Sequence, residues 1–244
     1  MRAVITAGGR IDGAFAAEAG SSVKALAPVR GTTMLRRIIE ALRGAGASRV
    51  AVVGGDEVRA ACEADVDRIV TEGPSGSENI LRALRAWPDD GDTLLYATSD
   101  LPYVSAAAIQ GFLAQVPAGV LALPLADAEQ YARRFPGAPP FGITLAAERV
   151  VNGGVFVVPP GSAERIAGVA ARFFDARKRP WQMAGLVSPW VLFRFLLRRV
   201  SVGDLEALAS RTLSVPALAI RRCAPELAFD CDTAAEYDYA RANA

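Results

Sequence analysis

The chain has no histidine among its 244 residues. That absence excludes Ser-His-Asp triads, Cys-His pairs and His-ligated zinc. Any metal must be held by carboxylates, which favours a hard cation such as Mg²⁺. Cysteine is scarce: Cys62, Cys223 and Cys231 form no Cys-x-x-Cys pair, and the odd, sparse count fits a reducing cytoplasm. No apolar run is long enough to span a bilayer, and no long apolar core follows Arg2, so neither a membrane helix nor a signal peptide is expected. Net charge is only +1, which gives no lean toward nucleic acid or an anionic membrane surface. Lysine is nearly missing. Of 27 basic residues only Lys24 and Lys178 are lysine. Two glycine signatures are also absent: there is no Gly-x-x-x-x-Gly-Lys-Ser/Thr, and Gly8, Gly9 and Gly13 do not make Gly-x-Gly-x-x-Gly.

What is present is organised around the first forty or so positions. An apolar strand, Ala3-Val4-Ile5-Thr6, runs into Ala7-Gly8-Gly9. After a loop come Val23-Lys24-Ala25-Leu26-Ala27-Pro28, a turn at Arg30-Gly31 and an apolar helix. Paired glycines let backbone pass close to a ligand, and their N–H groups suit phosphate oxygens. A compact ammonium beside them, in a chain that otherwise uses arginine, suits a phosphate contact in a crowded turn.

Short apolar strands alternate with helical patterns, which predicts βα units around a largely parallel sheet. Met34, Leu35, Ile38, Ile39 and Leu42 give a one-faced helix ending at Gly44. Strands are expected at Arg49–Val53 and Ile69–Val70, with a short helix capped by Asp56 between them. In Glu72-Gly73-Pro74-Ser75-Gly76-Ser77-Glu78-Asn79, Ser77 reads as an N-cap, or else Gly76, Ser77 and Asn79 lie beside a ligand. Asp100 follows the strand Thr93–Ala97, where α/β sheets place ligands. Val120–Leu123 is another strand, and Asp127–Pro140 reads as irregular, with Arg133 and Arg134 in it. Phe141–Leu145 and Gly154–Val158 read as paired strands joined through Asn152-Gly153-Gly154. Ser162–Arg177 is helical, and Arg177-Lys178-Arg179 complements its end. Ser188-Pro189 starts an apolar helix through Val200, read as core or the surface of a homodimer ahead of a helix lying on a membrane surface. Ala217–Ile220 and Leu227–Phe229 read as strands, before Asp230-Cys231-Asp232-Thr233.

Ala7-Gly8-Gly9 with Lys24-Ala25-Leu26-Ala27-Pro28-Val29-Arg30-Gly31-Thr32-Thr33-Met34-Leu35 resembles the opening of the MobA-like NTP transferase family. The resemblance implies that the glycine loop (Ala7, Gly8, Gly9, Arg10) and Lys24 hold a triphosphate. It implies that Gly76, Ser77 and Asn79 flank the base, and that Asn152 and Gly153 lie near the acceptor, whose phosphate Arg133 and Arg134 are placed to meet. The strand–Asp-x-Pro at Asp100 is similar to the family's metal-binding aspartate. The Asp-x-Asp-Thr ending implies a second metal ligand, Asp232, with Asp230 as the alternative. The pattern departs in one place: fourteen residues, Arg10 to Val23, separate Gly9 from Lys24, without the family's Arg-Met-Gly. The likeness covers most of the chain, more loosely over Gly161–Val215.

The expectation is therefore one domain over residues 1–244, a three-layer α/β/α sandwich with a mixed, mainly parallel sheet of the nucleotide-diphospho-sugar-transferase kind. The implied activity is Mg²⁺-dependent transfer of a nucleotidyl group from an NTP, GTP or CTP, to a phosphorylated small-molecule acceptor, with pyrophosphate released. A sugar-nucleotide-dependent glycosyltransferase and a non-catalytic nucleotide-binding protein are the alternatives.

Overall fold

The computed structural model of the chain describes residues 1–88, 91–146, 148–176, 193–194 and 196–243. The basic run Arg177-Lys178-Arg179, the Ser188-Pro189 cap and part of the apolar helix expected behind it, residues 190–192 and 195, lie outside these residues.

In chain order the elements begin with β1 (Arg2–Thr6), α1 (Gly13–Ala19), β2 (Pro28–Val29), β3 (Thr32–Thr33), α2 (Met34–Gly44), β4 (Arg49–Gly54), α3 (Asp56–Cys62) and β5 (Arg68–Thr71). Next come α4 (Gly76–Leu84), β6 (Leu94–Thr98), α5 (Ala106–Leu113), β7 (Leu121–Asp127), α6 (Ala128–Arg134), β8 (Ile143–Thr144) and β9 (Arg149–Asn152). The chain continues through β10 (Val155–Val158), α7 (Ala163–Ala176), α8 (Val202–Leu213), β11 (Ala217–Ile220) and α9 (Ala234–Ala242).

β1 is apolar on both faces because it lies inside the sheet, parallel to β4 on one side and to β6 on the other. The nine-stranded sheet runs β5-β4-β1-β6-β10-β7-β9-β8, with β11 parallel to β7. Among the described strands of this sheet only β10 and β9 run against the rest; β8, antiparallel to β9, points the same way as β7. Alternation along β1 sends Ala3 and Ile5 into a core with α2 and α5, through Leu35, Ile38, Ile109 and Phe112. It sends Val4 into a second core with α4 and α7, through Ala83, Leu84 and Ile166. These are the three layers expected, and the carboxyl ends of β1, β4 and β6 open on one edge.

Several elements differ from expectation. The loop after Gly9 contains α1, and the stretch after Asp127 is helical, because Asp127 Oδ1 accepts from the backbone N–H groups of Glu129 (2.8 Å) and Gln130 (3.1 Å). β8 pairs with β9 rather than with β10. Asn152-Gly153-Gly154 is not a hairpin turn: β9 and β10 both run antiparallel to β7, pairing Asn152 with Leu125 and Val157 with Ala122. The glycines bulge one continuing strand, since five steps on it match three on β7. Asp56 opens α3 from inside, with Gly55 at the cap. α8 was not expected, although Leu205, Leu208, Ala209, Thr212 and Leu213 fall on one face of it. Pro225–Leu227 is a 3₁₀ turn where a strand was expected at Leu227–Phe229.

Candidate active site

Ala7 prolongs β1 by donating its N–H to the Val53 carbonyl (2.8 Å), and Gly8 and Gly9 then leave the sheet. The interval to Lys24 closes on itself. Ile11 N–H donates to Ser22 O (2.9 Å), Arg10 and Val23 form an antiparallel bridge, and Lys24 N–H donates to Gly9 O (2.9 Å). α1 sits at the far end of this excursion. It is held against α9 by Phe15 stacked on Tyr237, 4.8 Å between centroids, and by the Glu18–Arg241 pair at 3.2 Å. The long spacing therefore still delivers the lysine opposite the second glycine.

Lys24 Nζ donates to Asp100 Oδ2 and, at 2.5 Å, to Asp232 Oδ1. Asp100 lies just beyond β6, and Asp232 lies just before α9. Cys231 N–H donates to the Asp100 carbonyl (3.0 Å), which ties the C-terminal segment to the end of β6. Thr233 caps α9 in a capping box, and Glu236 Oε2 also accepts from Asp232 N–H (2.8 Å). Lys24 thus meets a carboxylate 208 positions away in sequence. Burial pulls the Lys24 ammonium down, and Asp100 and Asp232 more than offset it, holding its pKa above the ordinary lysine range.

Asp230 lies behind this pair. Burial, then the charges of Asp100 and Asp232, push its carboxyl up to about 7. Because the chain turns at Pro225–Leu227, the strand alternation expected to choose between Asp230 and Asp232 does not exist here; Asp232 is the one that reaches Lys24. Among the described residues no group of three or more carboxylates, thiols or imidazoles is close enough to hold a metal. Mg²⁺ needs only one or two protein carboxylates beside its waters and substrate phosphates. Asp100 Oδ1 is buried without a hydrogen-bond partner, so it has a lone pair to give. The donor set fits such a cation.

On the other side of Gly8 stand Glu72 and Asn79. A Cβ on Gly8 would come within 2.4 Å of Glu72 Oε2 and 2.6 Å of Asn79 Nδ2. Asn79 is buried, with Oδ1 accepting from Gly73 N–H (2.6 Å). Ser75, not Ser77, caps α4, accepting from Glu78 N–H (3.2 Å); Ser77 is buried, with its hydroxyl 2.8 Å from that of Ser75. Gly76 is packed beneath Phe174 of α7, 2.4 Å from the place of its absent Cβ.

The domain description "MobA-like NTP transferase domain" matches residues 3–235. The chain belongs to that family. A hypothetical transferase from Thermus thermophilus is 30% identical, with a TM-score of 0.83 over 97% of this chain and 100% of that one. CMP:2-keto-3-deoxy-manno-octonic acid synthetase complexed with CTP shares the fold at 14% identity, with a TM-score of 0.53 over 100% of this chain and 98% of its own. So does a Mycobacterium tuberculosis H37Rv protein solved with manganese, at 20% identity and a TM-score of 0.55 over 100% and 98%. A comparison with curated proteins returned no match.

In this MobA-like chain the first loop keeps one arginine, Arg10. It pairs with Glu72 (2.6 Å) and Glu57 (3.6 Å). Neither Arg133 nor Arg134 is paired with the carboxylates of the Lys24 cluster. Arg134 is held by Glu226 at 2.6 Å and lies over Phe135, while the exposed Arg133 pairs with Glu129 at 3.6 Å. Asn152 is exposed on β9. Gly153 is packed instead of open: its Cβ would meet the Leu227 carbonyl at 2.6 Å. Sequence reading passed over Glu72. Its position just after β5 was the available signal, the same one that singled out Asp100 after β6.

Proposed function

We propose that this MobA-like chain transfers a nucleotidyl group from an NTP to a phosphorylated small-molecule acceptor and releases pyrophosphate. What carries the reading is one contact set: the Lys24 ammonium held by Asp100 and Asp232, opposite Gly9 of the glycine turn. The Gly8 and Gly9 amides and Lys24 would bind the triphosphate. An acceptor phosphate oxygen attacks the α-phosphorus, the bond from that phosphorus to the bridging oxygen breaks, and pyrophosphate leaves with the electron pair. A phosphate is already anionic at neutral pH, so no general base is required, in keeping with a chain that has no histidine.

Asp100 and Asp232 would hold the divalent cation, which would neutralise phosphate charge and polarise the α-phosphoryl group. The manganese-bearing structural relative and the synthetase solved with CTP support this reading by analogy of fold. Lys24 would then exchange its carboxylate partners for phosphate oxygens. Asn79 Nδ2 and Glu72 face the glycine turn from the α4 side, and they are the groups proposed to meet the base. The test is a pyrophosphate-release screen of the four NTPs against sugar, polyol and lipid phosphates, with Mg²⁺ or Mn²⁺. Acceptor-dependent release with one NTP is expected. Glycosyl transfer from a sugar nucleotide without pyrophosphate would contradict it.

A further inference from the structure

A cavity of about 510 Å³ lies between the sheet and the helices α4, α7 and α8. Its walls are hydrocarbon: Phe156 and Leu121 from the sheet, Ile80 from α4, Phe173 from α7 and Leu208 from α8. The one phenol on the wall, Tyr96, has its hydroxyl 3.0 Å from Thr6 Oγ1 and so is already partnered. Such a space takes an apolar ligand and offers almost nothing to a sugar. Its position ties it to the proposed reaction. Thr98 lines it two residues before Asp100, and Ile80 lines it immediately after Asn79.

The rim carries a second, separate feature. Leu205 of α8 both lines the cavity and is exposed. Beside it, the Arg194–Asp204 pair (3.0 Å) fastens a turn whose Phe193, Leu196 and Leu197 are exposed, Leu196 by 73%. Arg198 and Arg199 follow directly and are exposed as well. Exposed apolar side chains beside arginines match the boundary of a bilayer that contains anionic lipid.

We propose that the acceptor is an amphiphilic phosphomonoester drawn from a lipid surface, with its hydrocarbon chain in this cavity and its phosphate at Lys24. This rests on the transfer reading above and deepens it by naming the acceptor class. The bonds made and broken are those already given; the new feature is the chain that positions the attacking phosphate.

The experiment measures chain binding apart from turnover. Butyl, octyl and dodecyl phosphate are titrated calorimetrically into the full chain below their micellar concentrations. Affinity should rise by about fourfold per added methylene until the cavity is filled, the scale for burying one CH₂ group. Ala170→Trp, which fills the cavity, and Leu208→Arg, which makes its wall polar, should each remove that chain-length dependence and leave NTP binding unchanged. The protein should float with vesicles of phosphatidylcholine and phosphatidic acid, and Leu196→Asp should reduce flotation at least tenfold. Affinity independent of chain length, or unaltered by both cavity variants, overturns the proposal. So does an absence of flotation together with a dimer that Leu196→Asp dissociates, which would make the face a contact between two copies. Chain-length-dependent binding in a protein that releases no pyrophosphate from any NTP would sink the transfer reading and leave the cavity assignment standing.

Discussion

At the scale of single residues, two glycines that look alike in sequence carry different loads. Gly153 is hemmed in by backbone, with its missing Cβ 2.6 Å from the Leu227 carbonyl, and backbone cannot swing aside. Gly153→Ala should therefore cost about 1–3 kcal/mol of stability, the range for overpacking. Gly8 faces the ends of two side chains, Glu72 and Asn79, which can move. Gly8→Ala should keep a near-native denaturation midpoint and weaken NTP binding instead. Denaturant titration and nucleotide calorimetry on both variants check this, and the reverse pattern would refute it. Arg30 is different again. It holds a left-handed backbone (φ 56°) ahead of Gly31 (φ 78°) in the two-residue loop between β2 and β3. Such a loop favours Asn-Gly. Arg30→Asn should stabilise the protein by about 1 kcal/mol, the scale of the left-handed penalty, read as a higher urea midpoint.

At the scale of elements, the helix caps do more than start helices. Asp204 completes the capping box of α8. The Ser201 backbone N–H (2.9 Å), the Ser201 hydroxyl (2.8 Å) and Arg194 together pull its carboxyl down to about 2. A depressed carboxylate stabilises the fold above its unfolded value and loses that contribution as pH falls through its folded value. Asp204→Asn should thus lower Tm at pH 7, and the gap to wild type should close between about pH 4 and pH 2. A gap that stays constant through that window would show that the charge of Asp204 contributes nothing. Thr233 caps α9 and shares Glu236 with Asp232. Thr233→Ala should cost about 1 kcal/mol of stability. It should also lower pyrophosphate release more than that loss accounts for, because the segment that carries Asp232 loses the Thr233 hydroxyl's bonds to Glu236. Turnover that simply tracks stability would contradict the link.

At the scale of the whole molecule, what could be read from sequence follows physical range. The layers were legible because periodicity is local: Ala3, Val4 and Ile5 alternate, and Met34 through Leu42 make one stripe. Asp100 was legible because a strand's carboxyl end is a local landmark. Three things depend on distant partners and were not. α1 is held by Tyr237 and Arg241 at the other end of the chain. The bulge at Gly153-Gly154 is set by β7 on one side and the Leu227 carbonyl on the other, so its Asn-Gly reads locally as a hairpin. Glu72 has meaning only beside Gly8, Gly55 and Arg10, which three separate strands bring together. Among the described residues no helix is long and apolar enough to cross a membrane.

The central claim is that Lys24, Asp100 and Asp232 form one transfer centre, and the most direct measurement compares pyrophosphate release by wild type, Lys24→Ala and Lys24→Arg with the NTP and acceptor found by screening. Losing one preorganised charge-stabilising donor costs about 3–4 kcal/mol, a loss of roughly 10²–10³ in turnover. Lys24→Ala should show that loss while keeping its far-ultraviolet dichroism. Lys24→Arg should recover little, because a planar guanidinium cannot replace a compact ammonium in the glycine turn. A Lys24→Ala protein that turns over at the wild-type rate would contradict the account.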